Sequence, residues 1–319
     1  MTGPLRDIAV VAYEECPREQ PEGITDAQRL IPTISGALET AGLERSDVGF
    51  WCSGSADYLT GAPFAFVGQL AATGAWPPIS ESHVEMDGAF ALYEAWVRLQ
   101  HGDVDVAVVY AAGRPSGAAD MGEVLGMQLD PYYLQPLWPD HVALAALQAK
   151  AYLTASGRTE RDLAEVVAAA RVASAADPNA AVGGSTDVDA LLAEPLTVGP
   201  VRSHDCPTFT DGAAASVLAA GDRARELVDR PVWITGIDHR IEPHYPSMRD
   251  LTRIESATAA ARAAGAHDAP IEVAELSAPF SHQVLMLTEA IGLDDEVVVN
   301  PSGGSLAADP MIVTGMVRI

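Results

Sequence analysis

The residues most clearly placed to do chemistry lie in Glu81–Arg114, ESHVEMDGAFALYEAWVRLQHGDVDVAVVYAAGR. Polar residues ending in Glu85-Met86-Asp87-Gly88 run into Ala89–Gln100, where apolar and small residues recur at helical spacing. Gly102 then interrupts the chain before the β-branched run Val104–Val109. The pattern predicts a strand or loop, a buried helix and a strand. The turn ahead of such a helix offers unpaired backbone N–H groups and the positive end of the helix dipole. A side chain at Glu85–Asp87 therefore sits where developing negative charge is stabilised. A plainer reading has Asp87 simply capping the helix.

The elements that must position this turn follow from the rest of the chain. Ile8–Ala12 reads as a short strand, and Thr25-Asp26 as the cap of a helix that runs to about Ala41 and stops at Gly42. Ser46–Ser55 reads as a second strand and Ala62–Thr73 as a small-residue helix. Between Pro115 and Pro200 the character changes. Gly, Pro and aromatic residues (Tyr132, Tyr133, Trp138) precede two strong helical patterns, His141–Ser156 and Thr159–Ala175, and Ala180–Asp189 reads as a mobile loop. Ser203–Asp211 is loop-like, and Ala213–Ala219 suits a tightly packed strand. The early order then returns: strand Val232–Ile237, helix Asp250–Ala264, strand Ile271–Leu276, helix Ser281–Ala290, strand Val297–Val299, and Gly303-Gly304 opening another helix. Two copies of a βαβαβ unit predict an α/β fold with two parallel-rich sheets sandwiching helices. The predicted division is 1–114, a loop and helical insertion at 115–200, and 201–319. The second copy has no strand after its last helix, because the sequence stops at Ile319; either the chain is shortened or a partner covers that sheet edge.

Composition bounds the partners. A formal charge of −25 over 319 residues argues against nucleic acid or an anionic membrane, both of which need a basic surface. Cys16, Cys52 and Cys206 are too widely spaced for a disulfide framework or a zinc site, which suits a reducing cytoplasm. The N-terminus MTGPLRDIAVVAYEE has no long apolar core of a leader, and no run is long enough to span a membrane.

Three motifs carry a resemblance. His204–Leu218, HDCPTFTDGAAASVL, resembles the DCPPxTDGAAA segment of the sterol-carrier-protein thiolases and actinobacterial lipid-transfer proteins, a branch of the thiolase superfamily. Asn300–Gly304, NPSGG, is similar to the loop before that family's Gly-His-Pro motif, and Ala89–Val109 is similar to its nucleophile helix and following strand. The resemblance covers nearly the whole chain and implies the thiolase fold, two βαβαβ halves in a layered αβαβα sandwich. It also implies a thiolase-like homodimer or heterodimer and a small OB-fold, zinc-ribbon partner.

The departures from that pattern concern the chemistry. The family's cysteine, three residues before the glycine that opens the helix, falls on Glu85, and its Gly-His-Pro histidine falls on Asp309. Where the branch has His-Asp-Cys-Phe, this chain has Ser277-Ala278-Pro279-Phe280, followed by Ser281-His282. A carboxylate does not replace a thiolate in acyl transfer. Lipid-transfer members of the branch resemble acyl-CoA retro-aldolases of bacterial steroid side-chain breakdown, which need a base, donors for a thioester enolate and an acid, but no nucleophile. The resemblance thus implies cleavage of a β-hydroxyacyl-CoA to a ketone and a short acyl-CoA, with CoA as part of the substrate and no covalently bound cofactor or metal. His282 is the expected acid/base, with Glu85 and Asp309 polarising it or titrating themselves. Asp87, Gly88, His204, Cys206, Gly303 and Gly304 are expected to line the substrate site, the two last glycines as N–H donors. Tyr132, Tyr133 and Trp138 either line a lipid-sized pocket or form the core of the insertion. The competing expectation is a non-catalytic subunit of a heteromeric aldolase or thiolase; a thiolase using Cys52 or Cys206 is the third.

Overall fold

The structure, a computed structural model, describes residues 5–61, 63–118 and 120–319. Its first stretch runs β1 (Ile8–Glu15), α1 (Asp26–Thr40), β2 (Phe50–Gly54), α2 (Asp57–Thr60), α3 (Phe66–Leu70), β3 (Glu81–Val84), α4 (Gly88–Gln100) and β4 (Val106–Gly113). The middle holds α5 (Met121–Gly126), α6 (His141–Ser156), α7 (Glu160–Ala173), α8 (Val188–Ala193), β5 (Leu196–Val198) and β6 (Val201–Arg202). The last stretch contributes β7 (Gly212–Ala220), α9 (Gly221–Leu227), β8 (Val232–Trp233), α10 (Glu255–Ala263), β9 (Val273–Ala274), α11 (Ser281–Ile291), β10 (Val298–Val299) and α12 (Gly304–Ala307). Two compact units result, both discontinuous in sequence: Met1–Ala118 with Thr210–Thr235 and Pro310–Ile319, and Ala119–Phe209 with Gly236–Asp309.

The first unit is built on a six-stranded mixed sheet of order β3-β2-β4-β7-β1-β8. β2 runs parallel to β3 and β4, whereas β7 is antiparallel to both β4 and β1. β7 is buried along its whole length, and its sequence GAAASVLAA explains how: small side chains let elements pack closely on both faces. Ala213, Ala215, Val217 and Ala219 share a core with Leu30, Ile34, Ala37 and Leu38 of α1, as the two-residue period of a strand requires. α1 starts with a capping box, Gln28 N–H donating to Thr25 Oγ1 at 3.2 Å and Thr25 N–H to Gln28 Oε1 at 2.8 Å.

The second unit is mainly helical. Tyr152 and Leu153 of α6, Leu163 of α7 and Met286 of α11 form one core cluster; Ala164, Val167 and Ala170 of α7 form another with Leu191 and Leu306. β9 and β10 make a two-residue parallel ladder, and β5 and β6 a short antiparallel one.

The late strands are shorter than their sequence suggests. The expected strand Val232–Ile237 is Val232–Trp233, and Ile271–Leu276 is Val273–Ala274. A strand lasts only as long as its partner: β8 pairs with Ala9 and Val10 and then departs. Among the described residues β9 pairs with β10 alone, and Val273 and Val298 are more than half exposed. The helix expected over Ala62–Thr73 begins on a residue outside those described. Of the remainder, the described residues hold one short helix, α3, and α2 stops ahead of this stretch at Gly61, with φ 66°. Met1–Pro4, part of the N-terminal stretch read above for a leader, also lie outside the described residues.

Candidate functional site

In the first unit, Glu85–Gly88 forms the turn into α4. Asp87 caps the helix, its Oδ1 accepting from Ala89 N–H at 2.7 Å, and its Oδ2 accepts from Gly315 N–H at 2.9 Å. Gly88 is required sterically, because a Cβ there would lie 2.3 Å from Met316 Sδ and 3.0 Å from Ala111 Cβ. Glu85 is exposed and accepts hydrogen bonds from Asp57 N–H, at the start of α2, and from Ser55 Oγ at 3.5 Å. Both carboxylates thus serve helix N-termini. Tyr58 lies beside them, its phenol pKa raised by burial and then by the charges of Glu85 and Asp87.

In the second unit, the segment 203–209 holds His204 and Cys206 and touches Ser281, the neighbour of His282, and Asp309. Asp205, almost fully buried, accepts from Ser281 Oγ at 2.7 Å and from Arg202 N–H at 2.8 Å. It thereby ties this segment to the first residue of α11. His204 Nδ1 lies 2.9 Å from Glu194 Oε2 and its Nε2 3.8 Å from Asp205 Oδ2. Thr208 accepts from Asp309 N–H at 2.8 Å through its carbonyl, and its hydroxyl donates to the Leu306 carbonyl at 2.7 Å. Asp309 is 4% exposed and forms a parallel bridge with Phe209. The Phe209 ring packs against His141, and His141 against Phe280.

His282 follows Ser281 and is 0% exposed. Its Nε2 is 3.1 Å from Gln148 Oε1, and its Nδ1 is buried with no hydrogen-bond partner among the described residues. Burial lowers its pKa to about 4, since an imidazolium loses its hydration there. At neutral pH the ring is uncharged. The amides of Gly303 and Gly304 are already engaged, the first donating to the Asn300 carbonyl at 2.8 Å and the second to Ser302 Oγ at 3.2 Å. Gly303 has φ +89°, and a Cβ there would sit 2.7 Å from the Ser174 and Ala307 Cβ atoms.

The thiols share one condition. Burial, with the nearby charges of Glu94 and Glu81, pushes Cys52 up to about 12. Burial, with Asp205 and Asp140, does the same to Cys206, also to about 12. Cys16 is raised by burial as well, partly offset by Arg29. Among the described residues no group of three or more His, Cys, Asp or Glu side chains is placed to hold a metal ion. No described helix is long and apolar enough to cross a membrane.

Sequence reasoning missed Gln148, Asp205 and His141. Gln148 lies among Ala145, Ala146, Ala149 and Leu153 on the buried side of α6, and its only sequence signal is being an amide within that small, apolar run. Asp205 had none beyond its place in the HDCPTF segment. The aromatic residues of the insertion are not its core: Tyr132 is 81% and Trp138 68% exposed. Trp138 borders a cavity of about 390 Å³ lined also by Asp120, Glu123 and Asp140.

No protein-family model matches the sequence. An acetyl-CoA acetyltransferase of Methanothermobacter thermautotrophicus is 24% identical, the alignment covering 98% of this chain and 89% of that protein. A 17-hydroxy-3-oxo-4-pregnene-20-carboxyl-CoA lyase of Mycobacterium tuberculosis is 27% identical, over 73% of this chain and 62% of that one. Among solved structures, the Ltp2-ChsH2(DUF35) aldolase superposes with a TM-score of 0.80 at 22% identity, covering 98% of this chain and 88% of that one. The Bacillus anthracis acetyl-CoA acetyltransferase superposes with a TM-score of 0.76 at 15% identity, covering 98% and 90%. This chain therefore has the α/β thiolase fold, and its sequence relatives lie in the thiolase superfamily.

Proposed function

We propose that this chain is a thiolase-like acyl-CoA carbon–carbon lyase that cleaves a β-hydroxyacyl-CoA by retro-aldol chemistry, working with a small DUF35-type partner. The observation that carries the reading is the condition of the three thiols. None lies in the turn ahead of α4, which holds Glu85, Met86 and Asp87, and burial holds all three in the protonated, poorly nucleophilic form. Acyl transfer through a thiolate is disfavoured on that ground, whereas a retro-aldol needs none. The Mycobacterium tuberculosis relative is named for a 17-hydroxy-20-carboxyl-CoA, a β-hydroxy thioester, and the aldolase neighbour's name joins two components, one of them DUF35.

In such a cleavage a base takes the β-hydroxyl proton and the Cα–Cβ bond breaks as the carbonyl forms. The electron pair enters the thioester as an enolate, and an acid returns a proton to Cα. His282, neutral near pH 7, is the candidate base, and Asp309 the candidate acid. A bulky ring substituent, as in the lyase relative, is the proposed ketone half.

A second reading, a non-catalytic subunit of a heteromeric aldolase or thiolase, is favoured by the engaged amides of Gly303 and Gly304 and by the complete enclosure of His282. One experiment separates the two. The purified chain is incubated with and without a DUF35-type partner and a β-hydroxyacyl-CoA bearing a fused-ring ketone precursor, and products are read by mass spectrometry. Ketone plus shortened acyl-CoA supports the lyase, and His282→Ala should then lower turnover by about 100-fold or more. Products only on adding free CoA would mean thiolysis. No turnover in either arm, with activity restored by a sister thiolase-like chain, would establish the second reading.

A further inference from the structure

We infer that Gln148 is the positioning residue of His282, holding the imidazole in the tautomer that carries its proton on Nε2 and presents Nδ1 as a bare lone pair. The inference deepens the lyase reading and rests on it for any catalytic consequence.

The assignment follows from donors that cannot be reversed. Phe280 N–H only donates, and it faces Gln283 at 3.3 Å, so that end of the Gln283 amide is its carbonyl oxygen. The other end is then the –NH₂, which meets Gln148 at 3.2 Å. The Gln148 atom receiving that donor must be its oxygen. His282 Nε2 faces the same oxygen at 3.1 Å, and an oxygen that only accepts requires a proton on the nitrogen. A neutral imidazole has one N–H, so Nδ1 is the acceptor. That nitrogen is buried and unpartnered among the described residues, in a ring with no exposed surface. Leaving a buried acceptor unpaired costs stability, which makes the position informative. A hydroxyl is the complementary ligand, and the β-hydroxyl of the proposed substrate supplies one. Without the Gln283–Gln148 relay the ring is free to take the opposite tautomer, which offers that hydroxyl a donor where an acceptor is needed.

The test reads the tautomer without substrate. The full chain, labelled with ¹⁵N-histidine, is examined near neutral pH by long-range ¹H–¹⁵N correlation, with the His282 signals assigned by their loss in His282→Gln. The expected result is a pyridine-type Nδ1 and a pyrrole-type Nε2. In Gln148→Leu both nitrogens should move toward averaged shifts. If the lyase reading holds, Gln148→Leu should also lower kcat roughly tenfold or more with little change in KM. A pyrrole-type Nδ1 in the wild type, or unchanged shifts in a folded Gln148→Leu variant, overturns the assignment. The wild-type spectrum alone decides if that variant does not fold. A pyridine-type Nδ1 with no lyase turnover retires the catalytic reading and leaves the Gln148 assignment standing.

Discussion

Acidification should weaken this protein through His282. The ring is fully enclosed, and its pKa falls from 6.5 to about 4 on folding because burial penalises the imidazolium. The unfolded chain therefore binds a proton that the folded chain refuses. Stability attached to this group is intact above the unfolded pKa and is lost as the pH falls toward the folded one. The full interval corresponds to about 3 kcal/mol, of which about 2 kcal/mol is gone near pH 5. The measurement is urea unfolding of wild type and His282→Gln across about pH 7 to 5, which cancels the carboxylates and the other histidines common to both chains. The gap between the two curves should shift by about 2 kcal/mol against the wild type over that range. Parallel curves would refute the argument, meaning that His282 titrates in the folded protein as it does in the unfolded one.

Other expectations follow from the same geometry. Iodoacetamide should alkylate Cys52 and Cys206 in the native protein about a thousandfold or more slowly than an ordinary thiol, since a pKa pushed from 9.0 to about 12 leaves about a thousandth of the thiolate; peptide mass spectrometry after timed labelling checks this. Gly88→Ala should destabilise the protein by about 1–3 kcal/mol, because the new methyl meets Met316 and Ala111, and Met316→Ala should recover part of that loss in thermal melts. Asp205→Asn should cost about 1–3 kcal/mol by removing one of two buried acceptors, one serving the Ser281 hydroxyl and the other the Arg202 N–H, as read by chemical denaturation.

Local rules were legible wherever the sequence carried its own punctuation. α6 spans His141–Ser156 as expected, because Asp140 caps it and Gly157 ends it at φ 74°. α1 and β7 likewise fall within a residue or so of expectation, one for its capping box and the other for its run of small residues. Features that depend on distant partners were not legible. The length of β8 is set by where β1 can pair, and nothing in Val232–Ile237 announces that. Glu85 was readable as a carboxylate near a helix start, but the start it serves most directly is that of α2, through Asp57 N–H. His282 was readable as a histidine opening a helix. Its total enclosure and its link to Gln148, 134 residues earlier, belong to tertiary packing.

Ile8 at the head of β1 pairs with Ala220 at the foot of β7, and the first unit is completed only by Pro310–Ile319. On the ribosome, β1 therefore emerges long before the strand that will lie beside it, and the backbone groups along its edge stay unpaired until then. The sheet of this unit cannot close before β7 and β8 are made, and until then the nascent β1 is the segment most in need of a holding chaperone.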